Sequence, residues 1–228
     1  MTIDDKPAQR RRRKADEPSE SGAQATRRKL LAAATRLFSE FGYNAVSVRA
    51  IAQEAGVNAA LVNYHYGTKE ALFEEVIRIN TSDHVADRLH RLTQAKRTGR
   101  EPTLEEVLEI YVSPLIFGDE VSSGAFARLH SVMVSERSDV FEDIASRAFA
   151  AVNIAFVDEL QRCLPQLPRN TVIWRLYALV GTLLFFDTRP APPGILTVSG
   201  GGCDPSDRKE LFRQVMPFLI QGMLAPAP

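Results

Sequence analysis

The chain has 228 residues, 45% hydrophobic and 25% charged, which suits one large domain or a small domain joined to a larger one, with a real core. No apolar run approaches the roughly 18 residues that a membrane span needs, and the polar N-terminus lacks the apolar segment of a secretion signal, so a cytoplasmic protein is expected. The two cysteines, Cys163 and Cys203, form no C-x-x-C pattern and exclude both a disulfide framework and a zinc signature.

In chain order, residues 1–23 have no hydrophobic period and read as a disordered, basic and polar arm. The net charge of +0 is unevenly spread. Residues 1–70 hold 12 Lys and Arg against 8 Asp and Glu, and the remainder 16 against 20. A basic front end suits a polyanion, although the run Arg10 to Lys14 reads equally well as a solvated tail. From Thr26 a helical stripe appears in Leu30, Ala34, Leu37, Phe38 and Phe41, and Gly42 ends it. Ser47 caps a short second helix with Val48, Ile51, Ala52 and Ala55 inside. Asn58 caps a third, Ala59 to His65, and Thr68 a fourth, Lys69 to about Arg97.

The remainder also reads as helices. Thr103 and Glu106 make a capping box, and Pro114 limits or kinks the helix that follows. Another helix spans about Gly124 to Val134, and Ser138 caps a long one ending near Cys163. The segment Thr171 to Phe186 is apolar on nearly every side. A loop rich in Pro and Gly then leads to a last helix, from Asp204 to near Met223. No segment alternates well enough for a confident strand, so the fold class is all-α.

Ala52, Gly56 and Val62 stand at the spacing of a helix-turn-helix, whose second helix lies in the DNA major groove. Ala52 faces the crossing helix, Gly56 permits the turn, and Val62 plugs the crossing. A groove-lying helix needs polar tips, and Asn58, Asn63, Tyr64 and His65 supply them. The corner after it must meet phosphate. Tyr64, Thr68 and Lys69 offer hydroxyl and ammonium groups there, at a helix N-terminus that favours anions. Tyr66 reads as packing against Leu72 and Phe73. The candidate DNA contacts are Arg27, Arg28, Ser47, Arg49, Asn58, Ala59, Asn63, Tyr64, His65, Thr68 and Lys69.

From about Thr26 to Phe73 the sequence resembles the tetracycline-repressor (TetR) family of transcriptional regulators. The matching features are "FSEFGY", "SVRAIAQEAGV", the "YHY" corner and "KEAL". The resemblance implies a homodimer whose third helices read the half-sites of a palindromic double-stranded DNA operator. It also implies a variable C-terminal domain with a small-molecule pocket, the last two helices pairing across the two-fold axis. Two departures stand out. Asn63 occupies a position where many members carry Tyr, and Ala59 and Ala60 leave the front of the reading helix nearly bare. Over residues 100–228 only the helix layout is similar.

The expected organisation is an arm at 1–23, a DNA-binding domain at 24–70 and a ligand-binding and dimerisation domain at 71–228. The pocket is expected between the fourth helix and the long 138–163 helix. Its lining would be Phe126, His130, Phe149, Asn153 and Phe156, which suits a small hydrophobic effector with one hydrogen-bonding group. Asn153 shares a face with Phe149, Phe156 and Val157, and its amide must find either an internal partner or a ligand. The expected dimer interface is Trp174, Tyr177, Ala178, Gly181, Phe185, Val215, Phe218 and Leu219, part of which must also serve the protomer's core.

Asp83, Asp87 and His90 have a spacing that could seat a metal, but solvated polar faces are far commoner, and neither metal nor cofactor is expected. No grouping of catalytic residues has the right context, so an enzyme is not expected. The reading is a ligand-responsive repressor. Its rivals are a ligand-independent architectural DNA binder and a helical small-molecule-binding protein without a DNA function.

Overall fold

The computed structural model describes residues 22–97, 99–117, 122–136, 139–187 and 194–227. Among them are ten helices and no strand. They are α1 (Gly22–Phe41), α2 (Val48–Ala55), α3 (Ala60–Tyr66), α4 (Lys69–Lys96), α5 (Leu104–Phe117), α6 (Ser122–Ser135), α7 (Asp139–Cys163), α8 (Arg169–Asp187), α9 (Ile195–Val198) and α10 (Arg208–Leu224).

Helix starts follow the capping chemistry of the sequence. Ser47 Oγ accepts from the Ala50 N–H at 3.1 Å, and Thr68 Oγ1 from the Ala71 N–H at 3.0 Å. Thr103 and Glu106 close the reciprocal box, at 3.3 Å and 2.8 Å.

Several boundaries differ from expectation, among them the start of α3, where Ala59 and not Asn58 is the N-cap and makes no side-chain bond. Helix α1 already includes Gly22 and Ala23, which had been assigned to the arm; Thr26 is an interior residue whose hydroxyl donates to the Gly22 carbonyl. Helix α5 runs through Pro114 for three more residues, so the proline does not end it. The Pro- and Gly-rich loop contains the single turn α9. The last helix is capped by Asp207, which accepts from the Glu210 N–H, whereas Asp204 accepts from the Ser206 N–H in the turn before it. The expected Ser138 cap lies outside the described residues.

One continuous core runs along α4. Near its first turns the core holds Leu30, Ala34 and Phe38 of α1, Ile51 and Ala52 of α2, Val62 of α3, and Leu72, Phe73, Val76 and Ile77 of α4. Further along, α4 packs on α5, α6 and α7, while α10 packs on α5 and α8. An aromatic cluster joins α1, α4 and α7. Phe73 lies 5.1 Å from Phe38, 5.0 Å from Tyr43 and 5.2 Å from Phe141 of α7, between ring centroids. At the other end of α4, Lys96 Nζ reaches the buried Glu159 of α7 at 2.8 Å, and Arg162 pairs with the same carboxylate.

A second weld joins the α1–α2 turn to the end of α6. The Asn44 N–H donates to Glu136 Oε2 at 2.8 Å, over Gly42. Gly42 has φ +81°, and a Cβ on it would stand 2.0 Å from Glu136 Oε1. Glycine is therefore required twice, for the left-handed backbone and for the approach of the carboxylate.

Gly42→Ala is expected to destabilise the protein by about 1–3 kcal/mol in urea unfolding, through backbone strain and displacement of Glu136. Adding Glu136→Ala should relieve only the collision. An unchanged unfolding midpoint for Gly42→Ala would show that this turn is not held as described.

Candidate nucleic-acid interface and interior polar cluster

Helices α2 and α3 cross as the spacing predicts. Gly56 closes α2 with φ 66° and ψ 35°, and the Val57 N–H returns to the Ala52 carbonyl at 3.0 Å. Ala52 and Val62 are buried at the crossing. This fixes which face of α3 points outward. Tyr64 is 80% exposed, with its ring edge-on to His65 at 5.0 Å, and Asn63 is exposed beside it. Asn58 Oδ1 is engaged by the Ala60 N–H at 2.8 Å, which leaves its NH2 group to donate outward. Ala59 packs half-buried against the core and offers little chemistry.

The flanking cations are more constrained than the sequence suggests. Arg27, an expected DNA contact, stays 55% exposed but also donates to Glu75 at 2.9 Å and lies 5.5 Å over the Tyr66 ring, while the Tyr66 hydroxyl donates to the Arg27 carbonyl at 3.0 Å. Arg27 therefore ties α1 to α4. Arg28 lines an open cleft of about 900 Å³ between α1, α4 and α6, together with Arg36 and Arg128.

Lys69 turns its ammonium onto the Tyr43 ring, 4.1 Å from the centroid, and partial burial lowers its pKa against the pull of Glu136. Tyr43 as a seat for Lys69 is a contact the sequence reading missed. Ser47 and Thr68 spend their hydroxyl oxygens on helix caps but remain exposed, as does Arg49.

The expected effector residues meet within the larger core. Phe156 is fully buried and 4.8 Å from the Tyr111 ring; Phe149 lies 5.3 Å from His130. Asn153 finds an internal partner, since the Tyr111 hydroxyl donates to its Oδ1 at 3.3 Å. The Phe126 side chain lies outside the described set. None of these residues lines the open cleft.

The sequence reading passed over Arg88, which is only 2% exposed. Its Nε donates to the Tyr111 carbonyl at 3.0 Å, its guanidinium lies 4.7 Å over the Tyr111 ring, and Nη2 has no hydrogen-bond partner among the described residues. The signal was available, because Ile77, Thr81, Arg88 and Leu92 share the inner stripe of α4. Asp83, Asp87 and His90, which had drawn attention as a metal spacing, lie off that stripe, and Asp87 pairs with Arg91 at 2.7 Å. Among the described residues no group of three or more His, Cys, Asp or Glu could hold a metal.

Trp174, Tyr177, Ala178, Gly181 and Phe185 form an exposed stripe along α8, Trp174 being 76% exposed. Phe218 of α10 is exposed at 67%. Val215 and Leu219, also expected at the interface, are instead buried inside the protomer: α10 turns that face onto its own chain.

Burial, reinforced by the charge of Arg88, pushes the His130 pKa down from 6.5 to about 4. A histidine held neutral contributes its full stability above pH 6.5, and the contribution is lost as pH falls towards about 4. His130→Gln should flatten the loss of melting temperature across that window; an equally steep loss in the variant would assign the acid sensitivity to other groups.

Comparison with known proteins agrees with this geometry. Residues 30–76 match the family model "Bacterial regulatory proteins, tetR family", and residues 109–222 match "Tetracyclin repressor-like, C-terminal domain". The HTH-type transcriptional repressor Rv3405c of Mycobacterium tuberculosis is 42% identical over 67 residues, 29% of this chain and 33% of that protein. The HTH-type transcriptional regulator UidR of Escherichia coli is 36% identical over 55 residues, 24% of this chain and 28% of that protein. The chain thus spans about a third of the length of the curated relatives it matches.

Among solved structures, the fatty acid degradation regulator FadR from Bacillus halodurans superposes with a TM-score of 0.63 at 16% identity, covering 92% of this chain and 98% of that one. The hemolysin II transcriptional regulator HlyIIR superposes with a TM-score of 0.59 at 19% identity, covering 90% and 99%. At such identities these neighbours establish the fold alone. No helix among the described residues is long and apolar enough to cross a membrane. With both its helix-turn-helix and its C-terminal region matched, the chain belongs to the tetR family of DNA-binding transcriptional regulators.

Proposed function

We propose that the protein is a dimeric, ligand-responsive repressor that leaves a palindromic operator when a small molecule enters its C-terminal core. The observation that carries the reading is the continuity of α4. One helix is buried among the elements that fix α3 and again among the residues of the interior polar cluster. A ligand that tilts α4 therefore alters the separation of two reading helices. Half-sites one helical turn apart, roughly 34–36 Å, tolerate little change in that separation.

In this reading Asn63 addresses a base edge and Tyr64 a phosphate, since both are exposed on the outer face of α3. Lys69 reaches phosphate only by leaving the Tyr43 ring, so its contribution is the difference between two favourable sites. The apolar stripe on α8, with Phe218, is a surface that a second copy would cover, and two-fold pairing there would match the symmetry of a palindrome.

On an operator located by genomic footprinting, Tyr64→Phe should weaken specific and random DNA alike by about 3- to 10-fold. Asn63→Ala should relax preference at one base pair per half-site, by about 1–3 kcal/mol of discrimination. Lys69→Ala should reduce the slope of log affinity against log salt by about one ion. Salt-insensitive binding, or variants indistinguishable from wild type in fluorescence anisotropy, would remove this surface from DNA recognition.

Gly181 has nothing within 4 Å of where a Cβ would stand, so Gly181→Trp spares the protomer and tests only the interface. Gly181→Trp and Phe218→Glu should sediment as helical monomers without tight operator binding. By contrast, Leu219→Ala should destabilise the protomer by about 2–5 kcal/mol. Dimers persisting in both surface variants would place the interface elsewhere.

A further inference from the structure

Arg88 has a chemistry that neither the fold nor DNA recognition uses. A guanidinium cannot shed its proton inside a protein, so burial leaves a permanent cation with five N–H donors to satisfy. A buried charge without a counter-ion is costly by several kcal/mol. Arg88 has one carbonyl acceptor, one aromatic face and an Nη2 with no partner among the described residues.

The neighbouring carboxylates are turned elsewhere. Asp87 binds Arg91 on the surface, and Glu159 is held by Lys96 and Arg162 at the far end of α4. The charge of Asp87 is felt at Arg88 without an ion pair between them, and the groups in contact with the guanidinium are neutral. Tyr111, whose hydroxyl binds Asn153, carries the ring beneath it, and His130 lies near enough for its charge to be felt. Phe149 and Phe156 pack on His130 and Tyr111.

We infer that Arg88 is the anion anchor of the effector site, and that the effector is a monocarboxylate on an apolar body. This rests on the reading of the protein as a ligand-responsive regulator and narrows the ligand from hydrophobic to amphiphilic and acidic. The planar fork of arginine matches a carboxylate through two parallel N–H···O bonds. A single buried cation among neutral partners balances one negative charge, whereas a phosphate at neutral pH would call for more. The aromatic side chains suit the apolar remainder. In the open cleft, by contrast, Arg28 and Arg36 are exposed to water, and Arg36 also pairs with Glu40 and Glu54.

The test compares octanoate and phenylacetate with octan-1-ol and 2-phenylethanol, at neutral pH, on the full chain and on Arg88→Met. Calorimetric binding and thermal shift are the readouts. At least one acid should bind wild type about tenfold or more tightly than its alcohol, and the preference should vanish in Arg88→Met. The empty Arg88→Met protein should melt above wild type, because an uncompensated buried charge has been removed. Absence of a carboxylate preference in wild type, including absence of binding, overturns the assignment. So does a preference that survives Arg88→Met. An empty variant melting below wild type would also overturn it, by making the guanidinium a structural group. Operator release is scored separately. An acid that binds through Arg88 without releasing DNA keeps the anchor and removes the repressor-release reading.

Discussion

Everything in this molecule depends on the burial of the first two turns of α4. Leu72, Phe73, Val76 and Ile77 are fully buried, and they serve the helix-turn-helix and the larger helical domain at once. Each such side chain contributes about 1.5–3 kcal/mol on removal from water, so the core cannot release α4 cheaply. Phe73 adds directional contact, because its ring touches Phe38, Tyr43 and Phe141. The reading helix is consequently oriented by residues that also belong to the interior of the larger domain.

The two ends of α4 are fixed differently. At the helix-turn-helix end, aromatic packing and the approach of Glu136 over Gly42 hold a left-handed turn that favours glycine. At the other end, Glu159 is buried yet satisfied by Lys96 and Arg162, a pairing that keeps its carboxylate ionised despite the burial that opposes it. Between them lies Arg88, which makes no ion pair among the described residues and feels Asp87 only at a distance. A helix firmly held at both ends and electrostatically unsatisfied in the middle suits a coupling element. Conformational coupling needs a group whose free energy differs between two states, and an unpaired interior charge supplies one.

Much of this was legible in the sequence because it rests on local rules. Ser47, Thr68 and Thr103–Glu106 act as caps through contacts within three residues, and Gly56 and Val62 act through a spacing that helix geometry fixes. What failed was long-range. That Arg27 would find Glu75, and Lys69 the Tyr43 ring, depends on how distant segments meet. Val215 and Leu219 looked like interface because an apolar face does not announce whether its partner is the same chain or another. Arg88 escaped notice because arginine is ordinarily read as surface, although its place on the inner stripe of α4 was visible in the periodicity.

The central claim is that the helix-turn-helix and the larger domain are one cooperative unit joined through α4. Native-state hydrogen exchange tests it without knowledge of operator or ligand. Amides of Phe38, Ile51 and Val62 should open with the same free energy as those of Phe73 and Ile77 in α4 and Ile144 in α7, tracking global unfolding together. If the amides of α1 to α3 exchange through a separate, lower-energy opening while α4 and α7 stay protected, the helix-turn-helix moves independently and the account fails.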